Sequence, residues 1–314
     1  MNFRLRVYIA IAFLSTSVGC SNSHNNDLAA EPKAETPISL KDFPIEPKVI
    51  YGEDDRLDLY EVEDPTYHLL ARSTAMMMRE SRMEYNSESD SYTIMTQIIG
   101  EKFRLCPDEP FWEQLAAGVC SSFLVSPDTI ITAGHCIRTQ GSCNTAKFVF
   151  DYALFEPDQS VRTDVPASNV YSCKELVHSE NWVGKADFAV VKLDRPVEGR
   201  LPLAINAGQE IELGTDIFVI GNPLGLPTKV AGGARVRDFP ANSEDYFETN
   251  LDTYGGNSGS AVFNASTGEV EGILVRGERD FVEKDGCRVS NQCENDQCNG
   301  EEVTKISKIL PYLE

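Results

Sequence analysis

Positive charge is scarce in this 314-residue sequence: 28 Lys and Arg stand against 49 Asp and Glu, a formal net charge of −21. So acidic a chain is repelled by phosphates, which argues against nucleic acid as a partner. It suits basic or neutral substrates, although acidic surfaces also simply aid solubility. Histidine is scarcer still, at four residues, and the nine cysteines contain no Cys-x2-Cys pair. Those shortages argue against a zinc site. Long apolar runs are missing too: after the first twenty residues nothing approaches the roughly 18 that a spanning helix needs. No internal repeat is visible, and nothing demands a metal or an organic cofactor. What is present, 41% hydrophobic residues, is core material for one large double unit or two modest domains.

The first twenty residues read as an export signal. Arg4 and Arg6 form a positive start, 7–14 is a short apolar stretch, and small residues lead into Gly19-Cys20. This resembles a bacterial lipoprotein signal, with Cys20 as the lipidated first residue of the mature chain, although Ser17 stands where Leu is usual. The alternative is an ordinary signal cleaved near Cys20. In both cases the chain leaves the cytoplasm, as a cell-envelope (outer-membrane) lipoprotein or a secreted protein. The other eight cysteines form an even set suited to disulfides in an oxidising compartment. Residues 21–48 are rich in Asn, Ser, Pro, Glu and Lys with almost no apolar period, the composition of a disordered tether or a propeptide.

From residue 49 onward apolar density rises. Asp64-Pro65 could start a helix through Tyr67, Leu69 and Leu70, while 75–78 could be a first strand and 80–91 is polar, like a loop. Beyond Trp112 short apolar runs alternate with turn residues, as in all-β barrels: 122–126, 129–133, 148–152, 188–193, 217–220, 261–264 and 270–275. Only 303–313 reads as an amphipathic helix, with Val303, Ile306, Ile309, Leu310 and Leu313 on one side.

Three segments carry chemistry. They are Ser126-Pro-Asp-Thr-Ile-Ile-Thr-Ala-Gly-His-Cys136, Lys185-Ala-Asp-Phe-Ala-Val-Val-Lys-Leu193 and Asp252-Thr-Tyr-Gly-Gly-Asn-Ser-Gly-Ser260. A serine hydroxyl is a weak nucleophile until a base takes its proton, and an imidazole held by a carboxylate can do so. In chain order the segments give His, Asp and Ser, each in a matching strand or glycine-loop context. Over roughly residues 100–314 the chain thus resembles the chymotrypsin-like serine proteases. The resemblance implies an all-β fold of two six-stranded antiparallel barrels with a short C-terminal helix: a first barrel over about 95–200, a second over about 201–302 and the helix at 303–313. It also implies a serine endopeptidase acting on polypeptide without a cofactor, with His135 as base, Asp187 as its orienter and Ser258 as nucleophile. Gly256 and Ser258 would supply the oxyanion-binding N–H groups. The family's spacing further implies a Cys120–Cys136 bridge beside the histidine, with Cys143–Cys173 as a second pairing and the remaining partners open.

Departures from the animal trypsins place the chain nearer one bacterial branch. Asn257 precedes the nucleophile where those trypsins have the Asp that binds a new N-terminus. Asn257 resembles the branch that includes the glutamyl endopeptidases, as do Val49-Ile-Tyr-Gly-Glu-Asp-Asp-Arg56, similar to that branch's mature start, and Val219-Ile-Gly-Asn-Pro-Leu-Gly225. Specificity points elsewhere. Asp252, six residues before Ser258, stands where trypsins bind Arg and Lys; Thr253 and Gly277 complete the implied pocket. Gly272-Ile-Leu-Val-Arg-Gly277 lacks the His with which glutamyl enzymes hold an acidic substrate. The expectation is cleavage after Arg or Lys, unless Asp252 merely caps its loop or Arg276 neutralises it. The rivals are a glutamyl-specific enzyme and a catalytically inactive lipoprotein that uses the fold to bind a partner. A serine esterase would need Gly-x-Ser-x-Gly, which is absent. A monomer, with membrane contact through the lipid alone, completes the expectation.

Overall fold

Several apolar runs in this chain are apolar on both faces, because the barrel strands that carry them serve two cores at once. In the run from Asp187 to Leu193, Ala189, Val191 and Leu193 point into one barrel, while Phe188 and Val190 point out of it into a shared core. Phe218 and Ile220 meet them there from the other barrel, whose own interior takes Ile217 and Val219. The shared core is thus a slab of Phe123, Ile131, Phe188, Phe218, Phe263 and Ile273, all at most 1% exposed. Each such aromatic contributes about 1.5–3 kcal/mol by burial.

The computed structural model describes residues 54–182, 184–241, 243–277, 279–294 and 298–313. Cys20, the stretch 21–48 and the start at Val49 lie outside them. Strand β1 is Arg56–Asp58, and β2 (Thr74–Arg79), β3 (Cys120–Ser126), β4 (Thr129–Thr132), β5 (Ala146–Phe150), β6 (Val170–Asn181) and β7 (Asp187–Leu193) form the first unit. They close into an antiparallel barrel in the order β6-β7-β4-β3-β2-β5. The second unit has β8 (Asp216–Gly221), β9 (Lys229–Asp238), β10 (Tyr246–Thr249), β11 (Ala261–Asn264), β12 (Val270–Arg276) and β13 (Glu301–Lys305). Its order is β9-β8-β11-β12-β13-β10, and β9 pairs with β10 to close the ring. Two six-stranded antiparallel barrels result, with β1 added to the outside of the second along β9.

Three expectations need correction. The first barrel does not begin near residue 95: its first strand is β2, which fills the gap between β3 and β5. The segment read as a loop over 80–91 contains most of a hairpin, in which Met83–Asn86 pairs with Ser91–Ile94. The helix at 303–313 does not form. Val303 belongs to β13, fully buried between β10 and β12, and two short 3-10 turns follow, Ile306–Lys308 and Leu310–Tyr312. Val303, Ile306 and Ile309 recur every three residues, a spacing that 3-10 turns satisfy as well as an α-helix does. Pro311 then denies an α-helix one of its donors. The helix signalled by Asp64-Pro65 does form over Pro65–Ala71, with the Asp64 side chain accepting the Thr66 N–H at 2.8 Å.

Candidate active site

His135 lies in the turn that leaves β4, and its neighbour must be small. A β-carbon on Gly134 would stand 1.8 Å from the Glu180 carbonyl oxygen, so only glycine lets this turn close on β6. The closure brings His135 onto Asp187, the first residue of β7. Its backbone N–H donates to Asp187 Oδ1 at 3.0 Å, and Nδ1 lies 2.9 Å from Oδ2. Because a carboxylate can only accept, the ring proton sits on Nδ1 and Nε2 is left as a base. The Cys120–Cys136 disulfide ties this turn to β3, and Cys143–Cys173, Cys106–Cys287 and Cys293–Cys298 are also bridged. The sulfurs beside His135 are bonded to each other and offer no thiolate to a metal.

Asp187 is 1% exposed. Burial alone would raise its carboxyl; the bonds and charge from His135, with the charge on Arg276, hold it below the usual carboxylate range. Arg276, at the end of β12, donates to Asp187 Oδ2 at 2.9 Å and to Glu302 at 2.7 Å. Thr304 of β13 brackets the Asp187 backbone, its hydroxyl 3.1 Å from the N and 3.2 Å from the O. The second barrel therefore helps to hold the carboxylate that the first presents.

Ser258 sits in the glycine loop before β11. Gly256 has φ +96° and Gly259 φ +91°, left-handed conformations that favour glycine. A β-carbon on Gly259 would also lie 2.1 Å from the Ser121 carbonyl oxygen. That close approach lets Ser121 of β3 fasten the loop: its N–H donates to Ser258 O at 2.8 Å and its hydroxyl to Gly256 O at 2.9 Å. The Ser258 hydroxyl donates to Val275 O at 3.3 Å. The N–H groups of Gly256 and Ser258 make no hydrogen bond to any described residue. Asn257 is buried and local: its N–H donates to Tyr254 O at 3.0 Å and its side chain accepts from the Ser260 hydroxyl at 3.3 Å.

Asp252, Thr253, Tyr254, Asp280, Ser290 and Glu301 are among the residues that line a cleft of about 360 Å³. Asp252 keeps one side open to it, but Oδ2 also accepts the Asp55 N–H at 3.4 Å, and the two carboxyls adjoin. Burial and the neighbouring carboxylate push Asp55 up to about 9, and burial raises Asp252. Arg276 does not neutralise Asp252, since its partners are Asp187 and Glu302. Thr253 Oγ1 donates to Glu301 Oε2 at 2.5 Å. Gly277 is pressed against the same carboxylate: a β-carbon there would meet its carbon and both oxygens at 2.0 Å.

No local pattern in the sequence marks Ser121, Thr304, Asp55 or Glu301 as site residues. Arg276 alone had a visible signal, a charge ending an otherwise apolar strand; the others are ordinary residues until the chain folds.

A protein-family model described as a trypsin-like peptidase domain matches residues 120–273, which contain His135, Asp187 and Ser258. The glutamyl endopeptidase of Bacillus licheniformis is 30% identical over 155 residues, covering 48% of this chain and 46% of that protein. A probable periplasmic serine endoprotease, DegP-like, of Brucella suis is 33% identical over 93 residues, 28% of this chain and 18% of that one. The chain thus spans less than half the length of these relatives. Among solved structures, a Glu endopeptidase aligns over 84% of this chain and 97% of its own, with TM-score 0.47 and 16% identity. A protease of M. tuberculosis in its active form aligns over 90% and 92%, with TM-score 0.45 and 14% identity.

Proposed function

The chain belongs to the trypsin-like serine protease superfamily, and from that premise we propose that it is an exported serine endopeptidase. Ser258 attacks the scissile carbonyl as His135 Nε2 takes its proton, and the same proton then goes to the leaving amine. Water repeats the sequence on the acyl-enzyme, releasing the acid and restoring Ser258. Attack requires the Ser258 hydroxyl to turn from Val275 O to the imidazole, a tightening expected when substrate arrives. Asp187 fixes the Nδ1–H tautomer and stabilises the imidazolium. The N–H groups of Gly256 and Ser258 receive the oxyanion, where one donor is typically worth about 100- to 1000-fold in rate.

The observation that carries this reading is the 2.9 Å contact between His135 and a carboxylate 1% exposed, beside a serine loop fastened by Ser121. Peptide hydrolysis tests it. Ser258→Ala should fold normally and lose several orders of magnitude in rate. A purified Ser258→Ala protein as fast as the parent contradicts it, and an inert parent favours the inactive, partner-binding alternative.

For specificity we infer cleavage after Arg or Lys, since carboxylates dominate the cleft beside the glycine loop. A second reading, cleavage after Glu, is favoured by the likeness to a glutamyl endopeptidase. The polypeptide substrate would be met outside the cytoplasm by a monomer held at the membrane through Cys20.

A further inference from the structure

We propose that the carboxylate of Glu301, rather than that of Asp252, reads the basic side chain preceding the cleaved bond. The inference rests on the endopeptidase reading and names the group within the same site that sets its substrate class.

Position in the site distinguishes the two carboxylates. Two chain segments flank Ser258: 252–254, which runs into its glycine loop, and the end of β12 through Val275 to Gly277. Val275 O accepts the Ser258 hydroxyl, and Leu274 O accepts the Gly259 N–H at 2.7 Å. The Glu301 carboxyl group touches both segments at once, bonded to Thr253 Oγ1 on one side and lying on Gly277 on the other. A substrate side chain passing between them meets this carboxylate. Glu301 can take that position because Gly277 has no side chain; any other residue there would displace it.

Asp252 is placed differently. It is backed by Asp55 from the N-terminal segment, and two adjoining carboxyls that each hold a proton more tightly than usual offer less than two full charges. Asp54, which could add to them, is committed to Arg56 by two bonds of 2.6 Å. The cleft also carries Arg237 and Arg279. Arg237 approaches the Gly300 side, with Nη1 3.4 Å from where a β-carbon of Gly300 would be.

The test compares substrates that differ only in Lys, Arg, Phe, Ala or Glu before the scissile bond, with enzyme concentration set by active-site titration. In Glu301→Gln the ratio of kcat/KM for Lys over Phe should collapse by about a hundredfold, as for loss of one partner of a desolvated charge pair. Asp252→Asn should change that ratio less than about tenfold. Glu301→Lys should raise turnover of the Glu substrate at least about tenfold, a gain that misfolding cannot imitate. The proposal is overturned if Glu301→Gln keeps the parent's ratio, or if Asp252→Asn alone abolishes it. It is also overturned if the parent prefers Ala, which would make Glu301 a plug. Turnover of no substrate, with no titratable serine, would instead overturn the endopeptidase reading beneath it.

Discussion

Asp187 has more partners than a carboxylate that only orients a histidine needs. Two bonds come from His135, one from Arg276, and Thr304 brackets its backbone. Burial alone would raise its carboxyl, and those donors hold it below the usual carboxylate range. Asp55 shows the reverse case, a carboxyl raised by burial and by Asp252 with no cationic group among the described residues bonded to it. Its folded value of about 9 exceeds the ordinary 3.8, so the folded chain holds a proton that the unfolded chain releases. The stability it contributes is therefore full below about pH 4 and is lost as pH rises towards 9. Asp55→Asn removes this loss. Thermal unfolding at pH 5 and at pH 9 should show the variant's Tm gaining on the parent's by at least roughly 2–4 °C, the effect of about 1 kcal/mol in a domain this size. A difference that stays constant with pH would show that folding does not raise the Asp55 carboxyl.

At the scale of elements, β1 is three residues long and would not hold a place on the second barrel by backbone pairing alone. Asp58 fastens it. This residue, 1% exposed, pairs with Lys229 of β9, and Gln114 closes the network with bonds of 2.7 Å to each. Burial lowers the Lys229 ammonium to about 8, with Asp58 pulling it the other way. Asp58→Ala leaves a buried cation uncompensated and should cost about 3–5 kcal/mol in urea unfolding, with part recovered when Lys229→Met is added. A loss below about 1 kcal/mol would mean that β1 is held by something else.

Contacts of this kind explain what the sequence could and could not tell. His135, Asp187 and Ser258 were legible because each is embedded in its own strand or glycine loop, where local spacing carries the signal. β3, β4, β5, β7, β8, β11 and β12 were legible because both their faces are apolar, whereas β6, β9 and β10 interleave polar residues and were not. Thr304 on Asp187, Lys229 on Asp58 and Glu301 on Thr253 join residues 117, 171 and 48 positions apart, and nothing local announces them. The C-terminal stretch failed for the opposite reason: its local signal was clear, but Val303 was needed to close a barrel.

Taken together, the described residues form two barrels with a shared core, and His135 and Asp187 come from the first while Ser258 comes from the second. A net charge of −21 repels anionic surfaces. The proposed attachment to a membrane rests on Cys20 alone. Cys20→Ser should move the protein from the membrane fraction to the soluble one with its activity retained, whereas a parent that is already wholly soluble would rule out the lipid anchor.

The central claim is that Ser258 is an activated nucleophile, and the most direct measurement is reaction with a fluorophosphonate followed by mass mapping of the modified residue. A single adduct on Ser258 is expected, absent from Ser258→Ala and formed orders of magnitude more slowly by His135→Ala. A folded parent protein that takes up no label, or takes it up on another residue, would contradict the account.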